Sequence, residues 1–361
     1  MIDRLEFREK LCILLQKEYV ALLGQKGSDV ETILRALIND KSPLKGMKFI
    51  PVALPRNVDD DKEFEELFLE RLLEAANRVA PETGVRESVA RTVQLHPHST
   101  TNYRIRKALD TVGLRTSANY LVIILHALAE VAERPLKKLL HTLREYHEQI
   151  NNNGEAGEKL RFLVAGGGRL WRLCFYGPSE RSPFNIAFRV FVDSLSNEEI
   201  QKIDANESIE TAAKLRDLTD GIPSLVEQAI TGFADKGADD LSSFFKYLQD
   251  HWYALPLASR EVMKNVAEGS KQFPLCQPDY RCPQIPEVES PWIEAFWSGF
   301  LRLRYRQLAW RSQIHQAFVM RYADVQDSTS KSNMVKADLK ERTERLEKAL
   351  KDVNYIRLLP Q

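Results

Sequence analysis

The chain has 361 residues with 51 basic and 51 acidic side chains, so no global field ties it to nucleic acid or to anionic lipid. An apolar content of 43% and a charged content of 28% describe an ordinary soluble protein with room for two or three packed units. Four cysteines are scattered. Cys12 and Cys174 lie in apolar patterns and read as core residues, while Cys276 and Cys282 have no second pair with which to build a zinc site. There is neither a signal peptide nor an apolar run of membrane length, so the expectation is a reduced, cytoplasmic chain with no membrane partner.

Residues 4–17 carry an amphipathic helix pattern. A short apolar run at 19–23 then reads as a buried strand. It breaks at Gly24, passes a polar turn, and enters a helix with Val30, Ile33, Leu34 and Leu37 on one face. Strand, glycine turn and helix form the frame of a phosphate-binding loop, Gly-x-x-x-x-Gly-Lys-Ser/Thr. Counted from Gly24, the second glycine, the lysine and the hydroxyl are replaced by Asp29, Val30 and Glu31. Val30 cannot contact a phosphate as a cation, and two carboxylates beside a polyanion oppose what a helix N-terminus offers it. Gly24, Lys26, Gly27 and Ser28 remain as the candidate phosphate-side residues. The plain alternative is a βα turn with Ser28 or Asp29 as the helix N-cap.

A second strand is expected at 47–54. Asp59, Asp60 and Asp61 then lead into a helix with Phe64, Leu67, Phe68 and Leu72 apolar, where the acids complement the helix dipole and stay solvated. His96-Pro97-His98 is a weak metal motif. A helix is expected at 103–114. The run 119–125 is the most apolar of the chain and suits a central parallel strand covered on both faces. In P-loop ATPases that strand ends in two acids that serve the metal shell and the attacking water. Here it ends in His126-Ala127, and Glu130 comes too late. A long helix at 135–150, a strand at 160–165 followed by Gly166-Gly167-Gly168, and a strand at 186–192 follow. Ser196 with Glu199 reads as a capping box.

Beyond residue 206 strand signals nearly stop. Helices are expected at 208–218, 223–236, 239–253 and 258–268. Prolines make 273–291 an irregular excursion. Leu301 to Arg306 alternates apolar and basic residues, a half-exposed strand or a β-turn-β. A helix at 310–322, a polar linker at 328–332 and a charged helix at 334–353 close the chain.

This layout resembles the AAA-like domain of STAND-type P-loop NTPases, the branch related to origin-recognition and MalT-like ATPases. The resemblance rests on Arg8-Glu9, on LVAGGGRLWRL followed by SPFNIAFRVFVDSLSNEEI, and on LTDGIPSLVEQAI. It implies an α/β fold, a P-loop NTPase-like parallel sheet flanked by helices, followed by a helical and winged-helix-like C-terminal unit. It also implies that Gly221 and Pro223 contact the base of a nucleotide. The implied domains are a degenerate AAA-like domain at 1–205, a helical lid at 206–256, a winged-helix-like domain at 257–326 and a C-terminal helix at 333–361.

The leading functional reading is a pseudo-ATPase with no catalytic residues, no metal and no cofactor. It acts as an interaction or scaffolding subunit with a protein partner, either an active ATPase homologue or an effector. A second reading is a switch that holds ATP or ADP without hydrolysis, through Gly221, Pro223 and the backbone amides of 25–29. A third is a nucleic-acid adaptor. Arg302, Arg304, Arg306 and Arg311, with Arg321, Tyr305 and Trp310, form a basic-aromatic patch. A strand would put 302, 304 and 306 on one side. Neutral overall charge makes carboxylates of a partner or of the chain itself the expected mates of these arginines, with weak DNA binding at most.

Overall fold

A computed structural model of the chain describes residues 4–39, 46–153, 158–175, 186–203, 209–236, 242–279 and 281–326. The SPFN segment, the polar linker and the expected C-terminal helix lie outside the described residues. By internal contacts the chain forms two compact units. One comprises residues up to Leu23 together with Val30–Val190, and the other comprises Gly24–Asp29 together with the chain from Phe191 onward. The first unit therefore ends at Val190, and the glycine turn belongs to the second unit.

The first unit is built on a five-stranded parallel sheet, ordered β2-β3-β4-β1-β5. Its strands are β1 (Val20–Leu23), β2 (Met47–Ala53), β3 (Tyr120–His126), β4 (Leu160–Gly166) and β5 (Phe188–Phe191). All five apolar runs expected to be strands are strands. Leu121 through Leu125 are wholly buried, as a central strand covered on both faces requires. Register is continuous across the middle of the sheet, with Val52 opposite Leu125, Leu125 opposite Val164, and Leu23 opposite Gly166.

Helices α1 (Leu5–Leu15), α2 (Val30–Asn39), α3 (Asp61–Val79), α6 (Glu133–Asn153) and α7 (Gly168–Cys174) flank the strands. Between β2 and β3 the chain adds α4 (Val85–Leu95) and α5 (Thr101–Arg115). Helix α3 starts where the sequence signals it, with Asp60 accepting the Glu63 amide at 2.8 Å. Asp61 is not left to solvent, as its oxygen lies 3.1 Å from Arg134. Phe64, Phe68 and Leu72 bury one stripe of α3. Arg71 on that helix donates to the Ala53 carbonyl at 2.8 Å, so it closes the carboxyl end of β2.

From β1 the chain leaves toward one edge of the sheet to reach β2. From β4 it leaves toward the other edge to reach β5. The carboxyl ends of β1 and β4 are therefore the topological switch point, where parallel α/β sheets seat their ligands.

The second unit is helical with small sheets. It contains α8 (Asn197–Ile203), α9 (Ile209–Thr219), α10 (Pro223–Lys236), α11 (Ser242–Tyr253), α12 (Leu257–Ala267), α13 (Trp292–Trp297) and α14 (Gln313–Gln326). The capping box at α8 forms as expected, with Ser196 and Glu199 exchanging bonds of 2.9 and 3.2 Å. The proline-rich stretch expected to be irregular instead holds an antiparallel pair, β6 (Gln277–Asp279) and β7 (Cys282–Glu287), with Pro278 facing Pro286. A two-stranded ladder tolerates prolines because each strand has a free edge. A second hairpin joins β8 (Leu301–Arg304) to β9 (Gln307–Trp310). Trp252 packs edge to face on Phe300 and Phe318 in this unit's core, and those two rings lie tilted against each other, with centroids 5.6–6.0 Å apart.

Candidate functional site

Strand β1 delivers the chain to Gly24, at the carboxyl edge of the sheet where a phosphate loop would begin. The turn that follows is part of the second unit and is tied by its own polar groups within it. Gln25 is buried, and its Nε2 donates to the carbonyls of Phe296 at 2.7 Å and Leu301 at 2.8 Å. The Lys26 amide donates to the Trp297 carbonyl at 2.9 Å. Ser28 folds back on the turn, its amide at 3.0 Å and its hydroxyl at 2.6 Å from the Gln25 carbonyl. Two of the amides that a phosphate would need thus already have partners within the protein.

The close approach of these segments depends on two glycines. Gly27 has φ +84°, and a Cβ there would sit 2.5 Å from the Tyr247 hydroxyl. Gly299 has φ +86°, and a Cβ there would sit 2.5 Å from the Lys26 carbonyl oxygen. Both positions have a left-handed backbone, and at Gly299 the close contact is to backbone, which has no side-chain freedom with which to give way.

A buried ionic group lies beside the turn. Arg311 is 3% exposed, its Nη1 is 3.4 Å from the Lys26 carbonyl, and its Nε is 3.6 Å from Asp220. Arg302 makes a charge-assisted bond to the same carboxylate. Burial lowers the Arg311 pKa to about 10, while Tyr247 and Asp193 favour its charge. Burial also pulls Lys26 below its ordinary value, opposed by Asp250. His251 is pushed down to about 4, first by burial and then by the cations of Lys26 and Arg311. Burial also drives His315 well below its ordinary value, with Arg311 and His251 adding to it, and its ring accepts from or donates to Ser312 at 2.8 Å. At neutral pH both imidazoles are uncharged.

The other expected nucleotide residues are placed as follows. Gly221 has φ +65°, its carbonyl accepts the Leu195 amide at 2.9 Å, and a Cβ would meet the Leu195 oxygen at 2.5 Å. Pro223 opens α10, where its fixed φ suits the first helical turn. Gly221 is thus a close-packing position within the second unit. In the first unit, Glu31 points to solvent with Arg35 at 3.5 Å. His126 ends β3 with its pKa lowered by burial, and Glu130 pairs with Arg56 at 3.0 Å. Neither acid stands at the end of β3.

The arginine patch needs correction. Arg306 is not on the strand. It lies with Tyr305 in the two-residue turn between β8 and β9, so 302, 304 and 306 do not share a strand face. Arg311 is buried and is not a surface residue, and Arg302 is tied to Asp220. Only Arg304 and Arg306 of the expected four are exposed. Sequence reasoning missed Gln25, Asp220, Tyr247 and Gly299. No short motif could have found them, because each acts on a residue distant in the chain.

No protein-family model matches the chain, and no curated protein matches it. Among solved structures, a Walker-type ATPase of Pyrococcus abyssi superposes with a TM-score of 0.57 at 14% identity, over 88% of this chain and 96% of that one. The ORC2 protein of Aeropyrum pernix, in its ADPNP-ADP complexes, gives 0.43 at 12% identity over 90% and 94%. A DNA polymerase III gamma subunit-related protein of Thermotoga maritima gives 0.28 at 11% identity. At these identities the likeness is one of fold, and it is carried by the first of the three. The strand-turn-helix frame, the sheet and this likeness agree: the chain has the α/β fold of P-loop NTPases, followed by a helical unit with small sheets.

Proposed function

We propose that this chain is a non-hydrolysing member of the P-loop fold, acting as an interaction or scaffolding subunit with a protein partner. That partner would be an intact ATPase of the same fold or an effector. The observation that carries the reading is the state of the glycine turn. It lacks the lysine and the hydroxyl of a phosphate loop, and its Gln25 side chain and Lys26 amide are bonded to Phe296, Trp297 and Leu301. Phosphoryl transfer rests almost entirely on positioning and charge stabilisation, and Val30, Glu31, His126 and Ala127 supply neither. The STAND-like, AAA-like and winged-helix-like readings belong to the same proposal. They are supported by the order α11, α12, β6–β7, α13, β8–β9, α14 behind LTDGIPSLVEQAI.

A switch that holds ATP or ADP without hydrolysis is the second reading. It ranks lower because binding through the turn would first have to release the Lys26 amide from Trp297. Calorimetric titration with ADP and ATP in magnesium, beside a phosphate-release assay, separates these readings. Neither heat of binding nor phosphate release is expected. Nucleotide binding without turnover promotes the switch. Turnover that a Lys26→Ala change abolishes would overturn both.

A further inference from the structure

The β8–β9 hairpin is closed by Tyr305 and Arg306, with φ values of +45° and +66°. Arg304 pairs with Gln307 directly across the turn. Two central residues at positive φ mark a type I′ turn, whose favoured occupants are Asn and Gly. A tyrosine and an arginine there cost on the order of 1 kcal/mol each in backbone strain. Strain held by side chains that pack against nothing is evidence of use rather than of folding. Tyr305 packs against nothing, as its relative exposure is 102%. Arg304 and Arg306 are exposed on either side of it, and neither makes an ion pair with a described residue.

The tip is nevertheless firmly seated. The Arg306 carbonyl accepts the Cys276 amide at 2.9 Å, the Leu308 amide donates to the Pro274 carbonyl at 3.3 Å, and Gln307 Nε2 donates to the Phe273 carbonyl at 3.2 Å. A short third segment thus holds the hairpin, so the ring and both guanidiniums are presented from a rigid base.

We propose that this tip binds single-stranded nucleic acid. Tyr305 stacks on an unpaired base, and Arg304 and Arg306 take the flanking phosphates. A ring open to water on both faces between two cations offers the two things a single strand provides, a π-face and a charged backbone. A protein hot spot would instead need a closed apolar rim to exclude water; the turn's own flanks are Arg304, Arg306 and Gln307, and the exposed Leu275 that bridges Gln307 is a single apolar neighbour on one side. Duplex DNA would be met by a row of strand residues, and that row is broken because Arg302 is spent on Asp220. The proposal is independent of whether the chain hydrolyses or holds a nucleotide.

Fluorescence anisotropy of the full chain with a labelled oligothymidine, an oligouridine, a duplex and a polyglutamate peptide tests it. At low salt the two single strands should bind with a log-log salt slope of about −1.4, as two phosphate contacts require. Tyr305→Ala should weaken binding by roughly 5- to 150-fold. Arg304→Ala with Arg306→Ala should flatten the slope. Tyr305→Asn with Arg306→Gly should abolish binding while the melting midpoint stays at or above that of the native chain. Failure to bind either single strand overturns the proposal, as does indifference to Tyr305→Ala. Equal binding of the duplex, or equal binding of polyglutamate, would overturn it in favour of plain charge or of a protein partner.

Discussion

Two turns of the second unit invite comparison, the glycine turn at 24–29 and the tip of the β8–β9 hairpin. The first has the sequence outline of a ligand loop, yet its polar groups are spent inside the protein. Gln25 gives both of its donors' bonds to buried carbonyls, and the Lys26 amide has Trp297. The second has the outline of an ordinary strand, yet it places an unsupported ring and two exposed arginines at a strained turn. A glycine with φ beyond +80° serves close packing in the first, while non-glycine residues carry positive φ with no packing return in the second. What separates a structural turn from a binding turn is therefore where its hydrogen-bonding capacity goes, and not how rich it is in glycine.

The comparison breaks most readily at Gly299. Replacing it with alanine sets a Cβ 2.5 Å from the Lys26 carbonyl oxygen and forces a side chain into φ +86°. Strain and overpacking together should destabilise the second unit by about 4 kcal/mol. Chemical denaturation measures this. A loss below about 1 kcal/mol would mean that the turn is not clasped as described.

Acid should undo the same region. The folded pKa of His251 is depressed to about 4 from an unfolded value near 6.5, by burial and by Lys26 and Arg311. The unfolded chain then binds the proton first. Stability is fully present above about pH 6.5 and is lost as pH falls toward 4, by about 3 kcal/mol for this one group. Asp250 and Tyr247 face the same site, and His315 should act in the same direction, since burial lowers it as well. Melting midpoints across that pH window report the effect. His251→Gln, uncharged at every pH, should flatten the profile, and an unchanged slope would assign the acid lability elsewhere.

The sheet was legible because hydrophobic runs are local. The runs at 47–54, 119–125 and 160–165 each became a strand within a residue or so. The helix starts were legible for the same reason, since Asp60 and Ser196 cap within one turn of themselves. The fate of the glycine turn was not. Gln25 and Phe296 stand 271 positions apart, and nothing in either neighbourhood announces the other. The arginine alternation at 301–306 fits either a strand or a β-turn-β, and it puts 302, 304 and 306 on one side only in the first case. The turn at Tyr305 breaks the period, and Asp220, remote in sequence, claims Arg302. Charge patterns show which residues are able to pair, and only packing shows which have done so.

Gln25 itself gives a smaller effect that sharpens the first half of the comparison. Gln25→Ala takes the Gln25 donor from the buried Leu301 carbonyl and leaves the Phe296 carbonyl with the Gly299 amide alone, and a cost of about 2 kcal/mol is expected. Gln25→Glu should cost more, because the carboxylate replaces a donor with an acceptor facing two carbonyl oxygens. If the two variants proved equal and near neutral by denaturation, water would be reaching the turn, and the phosphate-side amides would be open after all.

The smallest effect has the opposite sign. Asparagine tolerates the left-handed region that tyrosine at φ +45° occupies against its preference, so Tyr305→Asn should stabilise the hairpin by about 1 kcal/mol. Arg306→Gly relieves comparable strain at φ +66° but frees the unfolded chain as well, so its gain should be smaller, about half as large. Neither residue is buried, so no packing loss offsets either gain. Denaturation of the two single variants tests the order as well as the sign. A gain in both would show that the native sequence gives up stability at this tip, the mark of a turn kept for contact with something outside the chain. A loss in both would mean that Tyr305 and Arg306 support the fold in a way their exposure conceals, and the contrast between the two turns would fail.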